Sequence, residues 1–96
     1  MIRGTTPTYV FNLPFDVATI DKARVIFRQK DICVKKDEVI MEGSTITITL
    51  TQEDTLKFKC GSIVEAQVRV ITNGGESLAS YVVSINVYEC LDDEVL

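Results

Sequence analysis

The stretch Ser44-Thr45-Ile46-Thr47-Ile48-Thr49-Leu50-Thr51 alternates strictly between hydroxyl-bearing and apolar residues. Side chains along a strand point to opposite faces in turn, so the pattern predicts a strand with one buried face and one wet face. Threonine and isoleucine are both β-branched, which suits a pleated strand and mildly penalises a helix. The rhythm stops at Gln52-Glu53-Asp54-Thr55-Leu56. There Thr51-Gln52-Glu53-Asp54 has the form of a capping box, with Asp54 in place of the usual Glu or Gln three residues after the hydroxyl cap. One helical turn is expected over residues 52–56, carrying the chain across the end of a sandwich.

Further alternating runs flank this segment. Thr6 to Leu13 places Tyr9, Phe11 and Leu13 on one face, and Pro7, which cannot donate to a ladder, marks an edge strand. Pro14 to Asp21 reads as a connection, with Asp16 and Asp21 as turn or capping residues. Ala23, Val25 and Phe27 face inward in the next strand; Gln29-Lys30-Asp31 is a hairpin-length break before Ile32 to Lys36. Val39-Ile40-Met41 leads into Glu42-Gly43-Ser44, whose glycine supplies the positive φ of a tight turn. Lys57 to Ser62 has no clear pattern. Ile63 to Ile71 directs Val64, Ala66, Val68 and Val70 inward, and Asn73-Gly74-Gly75 predicts a primed hairpin turn. The return strand, Leu78 to Tyr88, is expected to bury Tyr81, Val83, Ile85 and Val87 and to expose Val82, Ser84, Asn86 and Tyr88.

About seven short strands with regularly spaced turn signals predict an all-β, immunoglobulin-like β-sandwich of antiparallel strands, with an opened barrel as the alternative. Absence of tryptophan removes the antibody-type Cys…Trp…Cys pattern. At 96 residues the chain is expected to form a single domain, 1–96, with a short N-terminal arm and an acidic C-terminal arm. Nothing at the N-terminus has the form of a signal peptide, and no apolar stretch reaches the roughly 20 residues of a membrane span. The expected location is therefore the cytoplasm of the cell that makes it, with no membrane partner.

Charge is unevenly placed. All ten Lys and Arg lie within residues 1–88 against ten acids, so the net −4 resides in Glu89, Asp92, Asp93 and Glu94. A neutral body lacks the one-signed field of a nucleic-acid binder. The basic residues between Lys22 and Lys36 read as solvated strand faces, because no aromatic or Gly-rich element accompanies them as it would in a phosphate-binding patch.

Catalytic signals are weak. There is no histidine, the commonest general acid–base residue. Cys33, Cys60 and Cys90 are odd in number and lack any Cys-x-x-Cys pattern, so no metal site is expected; the default is reduced, buried thiols, with a Cys60–Cys90 bridge open under oxidising conditions. Asp92-Asp93-Glu94 reads as a solvated terminus rather than an acid pair. Asn73-Gly74-Gly75 lies between strands rather than before a helix, so it is no phosphate cradle. The expectation is a protein that is not an enzyme and takes no cofactor and no small-molecule substrate.

Ile26, Val82 and Tyr88 are apolar residues on outward strand positions, and would mark an interface if contiguous. Met1-Ile2-Arg3-Gly4 and the acidic C-terminal arm both extend beyond the expected strands and are either frayed or dock on a neighbouring subunit, the C-terminal arm with Leu91, Val95 and Leu96 as its apolar anchors. Ile26, Val82, Tyr88, Leu91, Val95 and Leu96 are the candidate interface.

Several segments carry a resemblance: Ile2-Arg3-Gly4-Thr5-Thr6-Pro7-Thr8 with Leu13-Pro14-Phe15-Asp16, Gly43 to Thr55, Val68-Arg69-Val70-Ile71-Thr72, and Cys90 to Leu96. Together they resemble a family of roughly 95-residue proteins encoded by phages and prophages of Firmicutes. The opening is also similar to the immunoglobulin-like N-terminal domains of phage upper-baseplate proteins. The resemblance implies a virion, tail or baseplate assembly part whose partners are further copies of itself or a larger phage structural protein. It brings no functional residues. The alternative from a different class is a small β-sandwich module that binds glycans or a host surface, which would need aromatic side chains presented on a face or loop.

Overall fold

The computed structural model describes residues 1–96. Its strands are β1 (Thr8–Asn12), β2 (Ile20–Gln29), β3 (Ile32–Lys36), β4 (Ile40–Glu42), β5 (Thr45–Thr49), β6 (Val64–Thr72), β7 (Ser77–Ala79) and β8 (Val83–Ile85), with one helical turn, α1 (Gln52–Leu56), between β5 and β6. They form two antiparallel sheets. One has the order β1-β5-β4; in the other β3-β2-β6 continues into β7 and, further along β6, into β8. No ladder joins the sheets, so the architecture is a sandwich and not a barrel. By position, β1, β5 and β4 occupy the B, E and D places of an immunoglobulin-like fold, and β3, β2, β6 and β7/β8 occupy C′, C, F and G.

The threonine–isoleucine strand is β5, the middle of its sheet. Ile46, Ile48 and then Leu50 are buried from it, and they meet Val25, Phe27, Val64, Ala66, Val68 and Val70 of the facing sheet. Burying side chains of this size contributes roughly 1.5–3 kcal/mol each. Tyr9 of β1 packs across the sandwich on Phe27 of β2, with ring centroids 5.8 Å apart and planes tilted by 45°. Such a tilted pair adds about 0.5–1.5 kcal/mol to the area it buries. β1 is an edge strand, as Pro7 predicts, and the Pro7 carbonyl accepts from Leu50 N at 3.0 Å.

The expected capping box forms in full: Thr51 Oγ1 accepts from Asp54 N, and Asp54 Oδ2 accepts from Thr51 N. The hairpin turn at Gly43 (φ +59°) also forms, while Lys30 takes the left-handed conformation (φ 54°) in the two-residue turn between β2 and β3. Asp16 caps a short 3-10 turn over Val17–Thr19 by accepting from Ala18 N.

Three expectations are corrected. The single return strand expected over Leu78 to Tyr88 is broken into β7 and β8, which brings the total to eight, in keeping with the about seven expected. Register explains the break: Ala79 faces Arg69 while Val83 faces Ala66, so three residues, Ser80 to Val82, span what two cover on β6. This is a one-residue bulge, and Ser80 makes it. Its N–H donates to Val68 O at 2.9 Å and its Oγ accepts from Val68 N at 3.0 Å. Tyr81 is therefore expelled, 96% exposed instead of buried, and Val83 is only half covered, whereas Val87 is buried as expected. The turn at Asn73-Gly74-Gly75 is not a primed two-residue turn: only Gly75 has positive φ (+87°), and Thr72 pairs with Glu76 around a three-residue loop. Asn73 is used otherwise, donating through its side chain to Ala18 O and through its backbone to Thr19 O. Finally, the thiols are free, and Cys33 and Cys60 are exposed rather than buried because both fall on outward or loop positions.

Candidate functional site

The arms and α1 meet at one end of the sandwich. Thr55, fully buried on α1, accepts from Gly4 N through Oγ1 and donates to Thr5 O, both at 2.9 Å. Arg3 spreads its guanidinium over the end of α1, donating to Phe58 O at 2.7 Å, Leu56 O at 3.1 Å and Glu89 at 2.8 Å. Its backbone N–H donates to Tyr88 O, and Ile2 forms a parallel bridge with Tyr88. The N-terminal arm is thus neither frayed nor free for a neighbour. It is a strut of its own fold, because α1 and residues 86–89 offer the polar partners its backbone needs.

Lys57 to Ser62, without pattern in the sequence, is held by a residue that reads as part of a hairpin break. Gln29 is buried at the inward position two beyond Phe27; its amide accepts from Lys59 N and donates to Lys59 O and Ser62 O, at 2.7–3.1 Å. The inward parity of Val25, Phe27 and Gln29 was the available signal.

Asp54 is buried, with the ammonium of half-buried Lys36 2.8 Å away. Burial alone raises the Asp54 pKa, but hydrogen bonds from Lys36 and Thr51, with the charge of Lys36, together hold it below the usual carboxylate range. At the arm, Cys60 Sγ donates to Glu89 Oε2 at 2.8 Å. That hydrogen bond and the negative charge behind it push the Cys60 pKa up, while Glu89 is held low by the same bond and by Arg3. A carboxylate beside a thiol favours the protonated form, the reverse of what activates a cysteine nucleophile. No three His, Cys, Asp or Glu side chains gather in a way that would hold a metal ion.

The two outer faces differ in chemistry. On the β1-β5-β4 face, register aligns Val10, Thr47 and Ile40 in one cross-strand row, with Thr8 and Thr49 hydroxyls bonded at 2.8 Å beside it. The opposite face carries Lys22, Arg24, Arg28, Lys35 and Arg69. Two clefts open at the lateral sides where the sheets part. One, of about 650 Å³, lies between β2–β6 and the Val39–Met41 segment. The other, of about 400 Å³, lies between the end of β1 and β7, with Phe15 and Tyr81 at its lip.

The six candidate interface residues fall into two groups. Ile26 sits mid-sheet, half-buried between Lys35 and Gln67, and exposed Val82 follows the bulge on the far side of Gln67. Tyr88 lies beyond Ser84 and Asn86, at the arm end, near Ile2. Ile26, Val82 and Tyr88 therefore do not share one patch. Leu91, Val95 and Leu96 join the Tyr88 end; Leu91 and Leu96 are fully exposed, and Leu96 N donates to Gln52 Oε1 at 2.7 Å. Compared with models of known protein families, with curated proteins and with solved structures, the chain matches none of them.

Proposed function

We propose that this chain is a non-enzymatic structural or accessory protein of a phage or prophage, made in the bacterial cytoplasm and assembled into a tail or baseplate through protein–protein contacts. The observation that carries the reading is the C-terminal segment: Leu91 and Leu96 hold their whole side chains in solvent beside three acids, an arrangement that favours a covering partner. The sequence resemblance to small prophage proteins supplies the phage context. Light scattering on the eluting protein, with capture of virion components by the tagged chain, tests it. A defined oligomer or a stable complex is expected; a monomer that captures no virion component overturns it.

A second reading has one observation in its favour. Tyr81 stands 96% exposed at the lip of the 400 Å³ cleft with Phe15, an aromatic presentation suited to stacking on a sugar ring. Saturable binding on a glycan array, lost in Tyr81→Ala, would favour a ligand-binding module instead.

A further inference from the structure

Register places Arg24 of β2 directly opposite Arg69 of β6. Like charges at such a pair repel across about 5 Å and destabilise a sheet. Asp37 compensates Arg24 through both carboxylate oxygens, at 2.6 and 3.1 Å. Arg69 has no carboxylate partner; its guanidinium meets only the neutral Ser77 hydroxyl at 3.1 Å. Lys22 lies one position along the same face, opposite Ile71. Arg24, Arg69 and Lys22 all line the 650 Å³ cleft, with Asp21 and Asp37 as its own acids, and Val39, Met41 and Val70 among its apolar lining. The cleft thus asks for a ligand that joins carboxylates to apolar side chains.

One segment of this chain has that chemistry. Leu91-Asp92-Asp93-Glu94-Val95-Leu96 flanks three consecutive acids, part of the net charge of −4, with the apolar anchors Leu91, Val95 and Leu96. Resting on the assembly reading above, we infer that the C-terminal segment of one copy docks in the Arg24–Arg69 cleft of the next, its carboxylates on Arg69 and Lys22 and its leucines on the apolar lining. A copy's own tail is held elsewhere. Leu96 is tied to Gln52 of α1, at the end of the sandwich where Gln29 clamps the α1–β6 link, while the cleft lies toward the Ile20–Thr72 end of the β2–β6 ladder. Tail and cleft are different surfaces, so the contact is heterologous. Repeated from copy to copy, it builds a ring if the rotation closes and a filament if it does not.

Sedimentation velocity on the full chain tests this at low and high salt, with charge reversal on each side. Self-association is expected to weaken with salt, because exposed ion pairs are screened. Arg69→Glu and the double variant Asp92→Lys/Asp93→Lys are each expected to associate at least about tenfold more weakly than the parent. Both changes lie at exposed positions, and melting no lower than the parent's would show that the fold is intact, Arg69→Glu itself replacing a repulsion with an attraction to Arg24. Mixing the two variants restores opposite charges across every contact between unlike copies, so association is expected to return in the mixture with the two variants alternating. Oligomers that persist in both variants overturn this contact while leaving the assembly reading intact. So does a monomeric parent that captures a virion component, including one whose own acidic segment fills the cleft. A parent that is monomeric and captures nothing overturns both.

Discussion

Asp54 is the side chain on which the crossover between the sheets depends, and Asp54→Ala measures it. The carboxylate accepts from Thr51 N at 3.0 Å as one half of the capping box and holds Lys36 Nζ at 2.8 Å. Losing a helix-capping interaction costs about 0.5–2 kcal/mol. Leaving Thr51 N and a Lys36 side chain only 20% exposed without their acceptor adds a further amount of roughly 1–3 kcal/mol, trimmed because Lys36 reaches water. A loss of about 2–4 kcal/mol follows, which for a chain of this length lowers Tm by roughly 8 °C or more. Asp54→Asn keeps an acceptor for Thr51 N and removes only the charge, so it should fall about midway between parent and Asp54→Ala. Urea unfolding followed by circular dichroism, with the slope unchanged, gives both values. An Asp54→Ala unfolding free energy within about 0.5 kcal/mol of the parent's would refute the role given to the box and its ion pair.

Acid acts through the same carboxylate. A pKa depressed in the folded state gives stability that is present above the unfolded value, about 3.9, and is lost as pH falls through the folded one, so stability should decline below about pH 4 and less steeply in Asp54→Asn. Thr55→Val keeps the shape of a fully buried residue but strands Gly4 N and Thr5 O; it should cost about 1–3 kcal/mol and speed amide exchange across residues 2–5 more than elsewhere. Ser80→Ala removes the hydroxyl that accepts from Val68 N in the bulge, for a loss of about 1–2 kcal/mol by chemical denaturation, whereas Tyr81→Ala next to it should be near neutral because the ring is in water.

Periodicity made most of the sandwich legible. The β5 alternation, the inward valines of β6, the Gly43 turn and the Thr51–Asp54 box are all local signals, and each forms as its residues imply. What stayed hidden depends on partners distant in sequence. The bulge at Ser80 arises because a hydroxyl replaces a backbone partner for Val68, and no pattern within residues 77–88 announces it. Strand parity after the bulge still places Val83, Ile85 and Val87 toward the core side, which is why only Tyr81 among the four expected buried residues is fully displaced. The clamp from Gln29 to Lys59 and Ser62 and the reach of Arg3 to Phe58 O likewise join residues 30 or more positions apart. The Arg24–Arg69 juxtaposition needed the β2–β6 register, which two well-patterned strands do not supply by themselves.

Small-angle scattering on the purified chain, across a concentration series at low salt, tests the account most directly. A single sandwich has a Cα radius of gyration of 14.1 Å and a longest dimension of 46 Å. Assembly through tail and cleft predicts a radius and a maximum dimension that rise well above those values with concentration and return to them in Asp92→Lys/Asp93→Lys. A particle that keeps the dimensions of one sandwich at every concentration would contradict self-assembly of this chain.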